Sequence, residues 1–429
     1  MKNKYSLIFV LFLSFVYAKP HVLKIDEIIE ISLKYSPDID SSRFDFEAAG
    51  QRTKIAQGFY LPRVDISADA GEQWFKLQKQ ASDNANILAG QLGASQLLYD
   101  FEKTEGSLQS SKKEELALEA QMQQVISDKI LLVKNIYYDV LKAKSIIDVQ
   151  RKNILLQKQQ LKRAEKYLQA GIKTIIDVSD AKVKVQQAKL DLKNAKYELE
   201  LQRATLEEAM GYVPYGGNYA LYSQKLSASN LSKRLPVLKM SLQKLETFAY
   251  AHRYVLQSSE HYVKGAQENV SASQGEYYPT FSLKGDYALQ DVDSASIGIT
   301  PEQQGQITVN MTWNLFSGYQ TDASVQEAKI AVLKANSQVQ SVRLAIKKEV
   351  LESHINVRRN KDTVVLSESI AGLSLQKFGQ AEKRYENELS DYVELQDAQQ
   401  EYIQALSDLV NAYYDYFIAM ATLDHAVGR

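Results

Sequence analysis

The residue types that most often carry chemistry are sparse in this 429-residue chain. It contains no cysteine, which excludes disulfides, thiolate metal sites and a cysteine nucleophile. The sequence has no H-E-x-x-H, G-x-S-x-G, phosphate-loop or dinucleotide-binding pattern. The sequence therefore predicts no enzyme, no cofactor and no metal site. The histidines are scattered along the chain, at His21, His252, His261, His354 and His425.

Two pairs of carboxylates, each three residues apart, are the polar groups with a repeated spacing. Asp177 and Asp180 lie in "AGIKTIIDVSDA", and Glu394 and Asp397 lie in "NELSDYVELQDA". A spacing of three places both members of a pair on one face of a helix. Taken alone, such acids are equally well explained as a solvated face near a helix N-terminus, where the helix dipole favours negative charge. Their role depends on the elements that position them.

The chain consists of two tandem copies of one unit. The hexapeptide "QGFYLP" at 57–62 returns as "QGEYYP" at 274–279, and 279 − 62 = 217. The stretch that contains the first carboxylate pair, 164–181, matches 381–398 at the same offset, since 381 − 164 = 217. One offset that relates strand-like, turn-like and helix-like segments indicates a duplication, not a short solenoid repeat.

The ends of the two copies follow from this offset and from the N-terminus. Residues 1–18 have a positive start, a short apolar run and a Val-Tyr-Ala end, which is typical of a cleaved signal peptide. We expect the first repeat to span 19–211 and the second 239–429. The segment 212–238, rich in Gly, Tyr and Ser, would connect them.

Each copy carries helical tracts with an apolar residue at every seventh position, which predicts coiled-coil packing. The first tract and its counterpart in the second copy have these positions: Ile126, Val133, Val140, Ile147, Ile154, Leu161 and Leu168; Val350, Val357, Val364, Ala371, Phe378 and Tyr385. The tract after each carboxylate pair repeats the pattern beside a row rich in alanine. Between Asp100 and Leu168 only Gly106 interrupts the helical pattern. Alone, these heptads favour a soluble coiled-coil rod or scaffold.

Between the helical tracts the period changes from seven to two. Apolar and polar residues alternate after Pro62 and again after Pro279, and the latter alternation extends to Trp313 and Leu315. Such alternation predicts strands with one apolar face, arranged as hairpins at about 62–99 and 279–316. Four strands cannot close a barrel within one chain. The sequence leaves two alternatives open: a membrane barrel shared among several chains, or a small soluble sheet packed on helices.

This arrangement resembles the TolC-type outer-membrane efflux family over 19–429. The resemblance rests on the two helix–hairpin–helix copies, the proline at each strand start, the "LYD" and "LFSG" strand exits and the D-V-x-x-A-type motif after the turn. It implies a mainly α-helical chain whose homotrimer pools 3 × 4 = 12 strands into an outer-membrane β-barrel of a Gram-negative bacterium. Long coiled-coil helices would form a periplasmic α-barrel below it.

The resemblance also implies a function and its partners. The trimer would be a passive export duct in a tripartite efflux or type I secretion system, without nucleic acid. A periplasmic adaptor and an inner-membrane pump, proton-driven or ABC, would deliver cargo to it. The alternative from another class is a periplasmic coiled-coil scaffold that conducts nothing.

The family's site residues transfer to positions around the two helix turns. A periplasmic gate would comprise these residues: Glu394, Asp397, Tyr385, Asp177 and Asp180. The adaptor would contact the exposed turns at Gly171, Ile172, Leu389 and Ser390. Two departures stand out. Glu388 occupies a position where the family usually has glycine, which predicts a longer second turn, and Ser390 replaces a frequent basic residue, so that the corresponding ionic latch is missing.

Overall fold

The computed structural model describes residues 22–76, 82–172, 174–217, 219–222, 230–238, 240–294 and 302–429. The predicted signal peptide, residues 1–18, lies outside these ranges. The helices are α1 Ile25–Tyr35, α2 Pro37–Gly58, α3 Lys103–Gln169, α4 Ile175–Ala209, α5 Leu242–His252, α6 Tyr254–Gln274, α7 Gln320–Glu386 and α8 Tyr392–Ala426. The strands are β1 Val22–Leu23, β2 Arg63–Lys76, β3 Ser82–Tyr99, β4 Ala220–Leu221, β5 Thr280–Ser294 and β6 Glu302–Thr312.

The duplication is visible in the helix boundaries themselves. Helix α5 begins 242 − 25 = 217 residues after α1, and α8 begins 392 − 175 = 217 residues after α4. The left-handed backbone positions recur at the same offset: Gly211 has φ 78° and Gly428 has φ 82°. The prediction of two repeats is therefore confirmed at the level of single residues.

The chain divides into two compact units, and each contains parts of both repeats. The first unit comprises the residues up to 41, 123–253 and 344–429, and the second comprises 42–122 and 254–343. The core of the first unit is the heptad seam of α8, where Leu395, Leu409 and Leu423 are almost completely buried. The matching alanine row of α8 is buried as well, and this allows close helix packing.

The heptad of α3 is buried less evenly than the sequence predicts. Val133, Val140 and Ile147 are buried. Ile154 and Leu161, nearer to the helix end, are only half-buried within the single chain. The corresponding positions of α7, from Val350 to Tyr385, are all buried. The two copies of the coiled coil therefore have different environments within one chain.

The segment that connects the repeats is held by two carboxylates. Glu207 accepts hydrogen bonds from the backbone N–H groups of residues 215–217, at 2.5, 2.9 and 2.7 Å. Glu368 accepts from the N–H groups of Leu231 and Ser232, at 3.0 and 3.1 Å. Burial favours the protonated form of Glu368, but these hydrogen bonds outweigh it and lower the pKa of its carboxyl.

The second unit contains one antiparallel sheet in the order β2-β3-β5-β6. The two hairpins are joined by the pairing of β3 with β5. One face carries an apolar row that is open to the surroundings, with Ile66 83% exposed and Ile307 80% exposed. The other face carries polar residues such as Asp65 and Gln306. This alternation matches the strand prediction.

The last strand is shorter than its alternating pattern predicts. Strand β6 ends at Thr312, so Trp313 and Leu315 follow the strand instead of belonging to it. The indole Nε1 of Trp313 donates a hydrogen bond to the backbone oxygen of Tyr277 at 3.0 Å. This contact turns the chain toward α7 before the pattern itself ends.

The repeated hexapeptide marks the passage from helix to strand. Helix α2 ends at Gly58, and β2 begins directly after Pro62. In each copy its tyrosine hydroxyl donates to a carboxylate in the first turn of the next long helix. Tyr60 bonds Glu105 at 2.9 Å, and Tyr277 bonds Asp322 at 2.5 Å, where 322 − 105 = 217. The duplicated motif therefore ties the start of each hairpin to the helix that follows it.

Candidate functional site

The two turns that end α3 and α7 have the same length and the same hydrogen bonds. Both run from the last residue of one helix to the first of the next over an offset of 217, since 386 − 169 = 392 − 175 = 217. In the first turn the N–H of Ile172 bonds the oxygen of Tyr167 at 2.9 Å. In the second the N–H of Leu389 bonds the oxygen of Arg384 at 2.8 Å. These are Schellman-type helix ends.

The expectation of a longer second turn is therefore wrong. Glu388 takes the left-handed conformation, φ 59°, at the position where Gly171 has φ 72°. The turn keeps its length because the glutamate adopts the glycine backbone geometry. For a residue with a Cβ this costs about 1–2 kcal/mol.

We predict that Glu388→Gly raises the free energy of unfolding by about 1 kcal/mol, because it removes this backbone strain. Chemical denaturation of the purified protein measures the change. Glu386→Gly is the matched control, since it removes a neighbouring glutamate at a helical position and should destabilise the protein. Equal effects of the two changes would contradict the strain at Glu388.

The first carboxylate pair begins α4. Asp177 accepts hydrogen bonds from the backbone N–H and the hydroxyl of Thr174, at 2.8 and 2.9 Å, so it forms a capping box. Asp180, one turn further on, is exposed. The two members of the pair therefore differ in role: Asp177 stabilises the helix start, and Asp180 presents its charge to the surroundings.

The second pair begins α8 in a different way. Here Asp391 is the N-cap, and its side chain accepts from the N–H of Glu394 at 2.9 Å. The Glu394 carboxylate is left to form an ion pair with Arg384 across the turn, with Nε and Oε1 3.1 Å apart. Arg384 also donates to the backbone oxygen of Leu389 at 3.3 Å. The turn is therefore braced by a cation that approaches from α7.

Asp397 lies in a groove of about 540 Å³ between α7 and α8. The groove also contains the carboxylates of Glu401 and Asp408, which follow Asp397 along one face of α8. Lys377 pairs with Glu401 at 2.7 Å. The carboxylates on this face outnumber that cation, so the face has a negative potential that attracts cations.

Tyrosines connect the two turns into one site. The ring of Tyr385 lies 5.9 Å from that of Tyr167 and 6.2 Å from that of Tyr392. Burial, together with the nearby Tyr385, Asp180 and Asp177, raises the pKa of Tyr392 to about 12. Burial and Asp177 likewise raise the pKa of Tyr385. The structure therefore brings the acids of the first turn next to the tyrosines of the second.

Comparison with known proteins decides the family. The family model described as outer membrane efflux protein matches residues 28–212 and 249–429. The chain belongs to this family. It is an outer-membrane efflux channel of the TolC type, with a periplasmic extension, and its family consists of channels and not enzymes.

Relatives align along almost the whole chain. The outer membrane protein TolC of Vibrio cholerae is 21% identical over 405 residues, which cover 94% of this chain and 90% of that protein. The outer membrane efflux protein BepC of Brucella suis is 21% identical, with 92% and 83% covered. A solved structure of CusC superimposes with a TM-score of 0.82 at 16% identity, covering 96% and 95%, and confirms the fold. The family match decides between the alternatives in favour of a channel.

The efflux channel's remaining predicted positions lie on the turns. Ile172 is 48% exposed and Leu389 is 69% exposed, next to the left-handed Gly171. Ser390 is only half-buried, although its hydroxyl oxygen is buried and has no hydrogen-bond partner among the described residues. The tip therefore presents two apolar side chains.

Two features of this channel escaped the sequence reasoning. The first is Arg384, which supplies the ionic brace that Ser390 cannot. An opposite charge on each side of a tight turn was the signal that could have revealed it. The second is a group of buried glutamines in the helical core: Gln157 and Gln396 bond each other at 3.3 Å, and Gln399 is fully buried with neither amide atom bonded within the described part of the chain. No periodicity signal marks such residues.

Over the described ranges, no set of three or more His, Asp or Glu side chains is arranged to hold a metal ion. Within the same residues, no helix is both long and apolar enough to cross a bilayer.

Proposed function

We propose that this channel works as a homotrimer, which conducts cargo from an inner-membrane pump and a periplasmic adaptor to the cell exterior. The observation that carries the proposal is the sheet of the second unit. Within the described residues, β2 and β6 each have one unpaired edge, and the sheet exposes a continuous apolar face. Backbone groups in lipid must be paired, so the edges require neighbours and the sheet requires closure. Three chains with four strands each supply a 12-stranded barrel, since 3 × 4 = 12.

The turns form the regulated end of this duct. In a trimer the exposed carboxylates Glu394, Asp397 and Asp180 would be present three times around one axis. Like charges at close quarters repel each other and attract cations. Arg384 offsets part of this charge at Glu394, since it lies 3.1 Å from that carboxylate. The balance between the carboxylates and this arginine would set the resting aperture.

The exposed turns also provide the surface for the adaptor. Gly171, Ile172, Leu389 and Ser390 would contact its helical hairpin, because the two apolar side chains at the tip favour burial by a partner. A passive duct can accept cargo from a proton-driven pump or from an ABC pump. Outer-membrane lipid would cover the apolar face of the strands.

Single-channel recording in planar bilayers tests the duct and its gate together. The double variant Glu394→Ala and Asp397→Ala should raise the conductance and weaken the block by multivalent cations, because it removes two carboxylates from each subunit. Asp362→Ala is the control, since it removes an exposed carboxylate in the middle of α7.

The outcomes separate the two parts of the proposal. If the wild-type protein, reconstituted into lipid, shows no conductance, the duct itself is wrong. If the wild type conducts but the double variant matches it in conductance and cation block, these carboxylates do not form the gate.

A further inference from the structure

The internal symmetry of the chain contains a template for a contact between chains, and this inference rests on the proposed trimer. Within one chain the second strand of the first repeat, β3, pairs with the first strand of the second repeat, β5. The equivalent strands that remain are β6 and β2, and they form the two outer edges of the sheet. A second copy of the chain brings a free β2 edge to a free β6 edge, just as the chain itself brings β5 to β3.

The offset of 217 holds strand by strand, so the template transfers by residue number. In the first hairpin Arg63 lies opposite Ser95. In the second, Thr280 lies opposite Thr312. Both members shift by the same amount, since 280 − 63 = 312 − 95 = 217. Neither strand carries an insertion that would change its alignment with the other copy.

The connections after the hairpins provide a second, independent contact. The chain after β3 passes so close to Gly275 that an added Cβ would lie 2.7 Å from the oxygen of Phe101 and 2.9 Å from the nitrogen of Lys103. The equivalent glycine of the first repeat is Gly58, since 275 − 217 = 58. An added Cβ there would meet nothing within 4 Å in its own chain. The equivalent of Phe101 is Gly318, which is equally open and keeps the left-handed φ of 63°.

We propose that β6 and the connection at 318–320 of one copy dock on β2 and Gly58 of a second copy. The internal pair Ala94 and Gly285 fixes the register. Since 94 + 217 = 311 and 285 − 217 = 68, Met311 lies opposite Ala68 of the second copy. The neighbouring pairs follow in antiparallel order: Asn310 with Asp69, and Val309 with Ala70.

The side chains agree with this register. Met311 and Val309 belong to the exposed apolar row of β6, and the register places them beside Ala68 and Ala70 of the apolar row of β2. Asn310 and Asp69 meet on the polar face. A slip by one residue would place apolar side chains beside polar ones across the whole seam, because strand side chains alternate between faces.

The helices beyond the connection do not follow the template as closely. A Cβ on Gly106 would lie 2.6 Å from the nitrogen of Ala272 within the chain, whereas the equivalents are Ala323 and Ile55. The methyl group of Ala323 requires the corresponding helices of two copies to lie farther apart. The strand edges and the glycine slot, not these helices, therefore define the contact.

Cysteine cross-linking tests the register, and the natural chain contains no cysteine to interfere. The double variant Met311→Cys and Ala68→Cys should form covalent trimers on mild oxidation of the protein in the outer membrane. The matched control is Met311→Cys with Val64→Cys. It moves one thiol four residues along β2, about 13 Å, which is too far for a disulfide. Because both cysteines are on the same apolar face in each variant, only the register differs.

Gly58→Ala tests the glycine slot without touching the strands. It should reduce the fraction of trimer at least tenfold while the helical circular dichroism stays unchanged, because nothing in its own chain opposes the methyl group. Gly265→Ala is the control. Its added Cβ would meet neighbours at an ordinary 3.5 Å, and the first repeat already has Ala48 at the equivalent position.

Each result decides a different point. Cross-linking of the Met311 and Ala68 pair alone, with loss of trimer in Gly58→Ala, supports the contact. Efficient cross-linking of the Val64 pair, or heat-modifiable trimers in which the Ala68 pair does not react, would overturn the register while the trimer stands. A wild-type protein that remains monomeric in lipid would instead refute the proposed function.

Discussion

Replacing Gly211 by alanine should leave almost no correctly folded protein. Gly211 ends α4 with φ 78°, a conformation that costs a residue with a Cβ about 1–2 kcal/mol. The added Cβ would also overlap the backbone oxygen of Tyr35 and would lie 2.8 Å from its carbonyl carbon. Backbone atoms within a packed helix pair cannot move aside as a side chain can. We expect a total loss above about 3 kcal/mol, a large part of the stability of an ordinary domain.

Gly171→Ala is the matched control for this prediction. Its φ of 72° is nearly the same, but a Cβ there would meet nothing within 4 Å. The change should therefore cost only the backbone term of about 1–2 kcal/mol. Yield of heat-modifiable protein in the outer membrane and the denaturation midpoint report both variants. Similar losses in the two variants would show that the contact with Tyr35 contributes nothing.

The duplication and the element types could be predicted because both depend on local patterns. A seven-residue apolar period gave the long helices, and a two-residue period gave the strands. The buried heptads of α7 and α8, including Val350 and Leu409, show that these patterns reflect real core positions. The strand alternation failed at Trp313, where a hydrogen bond to the backbone of Tyr277 redirects the chain.

The candidate site was less predictable, because its contacts join residues that are far apart in sequence. Spacing located Asp177 and Glu394, but it did not show that Asp177 caps a helix while Glu394 pairs with Arg384. The length of the second turn was wrongly predicted for a local reason: Glu388 tolerates a glycine conformation. The roles assigned to the gate carboxylates and the adaptor turns remain predictions.

A second large effect is expected at a buried ion pair that only the second repeat has. Arg253, 6% exposed, lies 2.9 Å from a carboxylate oxygen of Glu349. It also donates to the backbone oxygens of Ala426 and His425 at the end of α8, at 3.1 and 3.4 Å. The equivalents in the first repeat are Ser36 and Leu132, so the offset could not reveal this pair.

Arg253→Met should lower the free energy of unfolding by about 3 kcal/mol, because it leaves the Glu349 carboxylate without its main partner and two helix-end carbonyls without a donor. The double variant Arg253→Met and Glu349→Leu should recover most of this loss, since well-packed apolar residues can replace a buried ion pair. Chemical denaturation of the four proteins in the cycle measures both terms. If the double variant is as unstable as Arg253→Met, the arginine acts mainly through the helix-end carbonyls.

The same pair predicts how stability depends on pH. Burial favours protonated Glu349, but hydrogen bonds from His425 and Arg253 outweigh it and lower the pKa of the carboxyl below its ordinary 4.5. A carboxyl with a lowered folded-state pKa stabilises the protein above its ordinary value and loses that contribution as the pH falls through the folded value. The wild type should therefore lose stability on acidification below about pH 4.5, and Glu349→Gln should lose less over the same interval. Parallel pH profiles for the two proteins would mean that the Glu349 carboxylate has the same pKa in the folded and unfolded chains, and the proposed ion pair would then contribute nothing to folding.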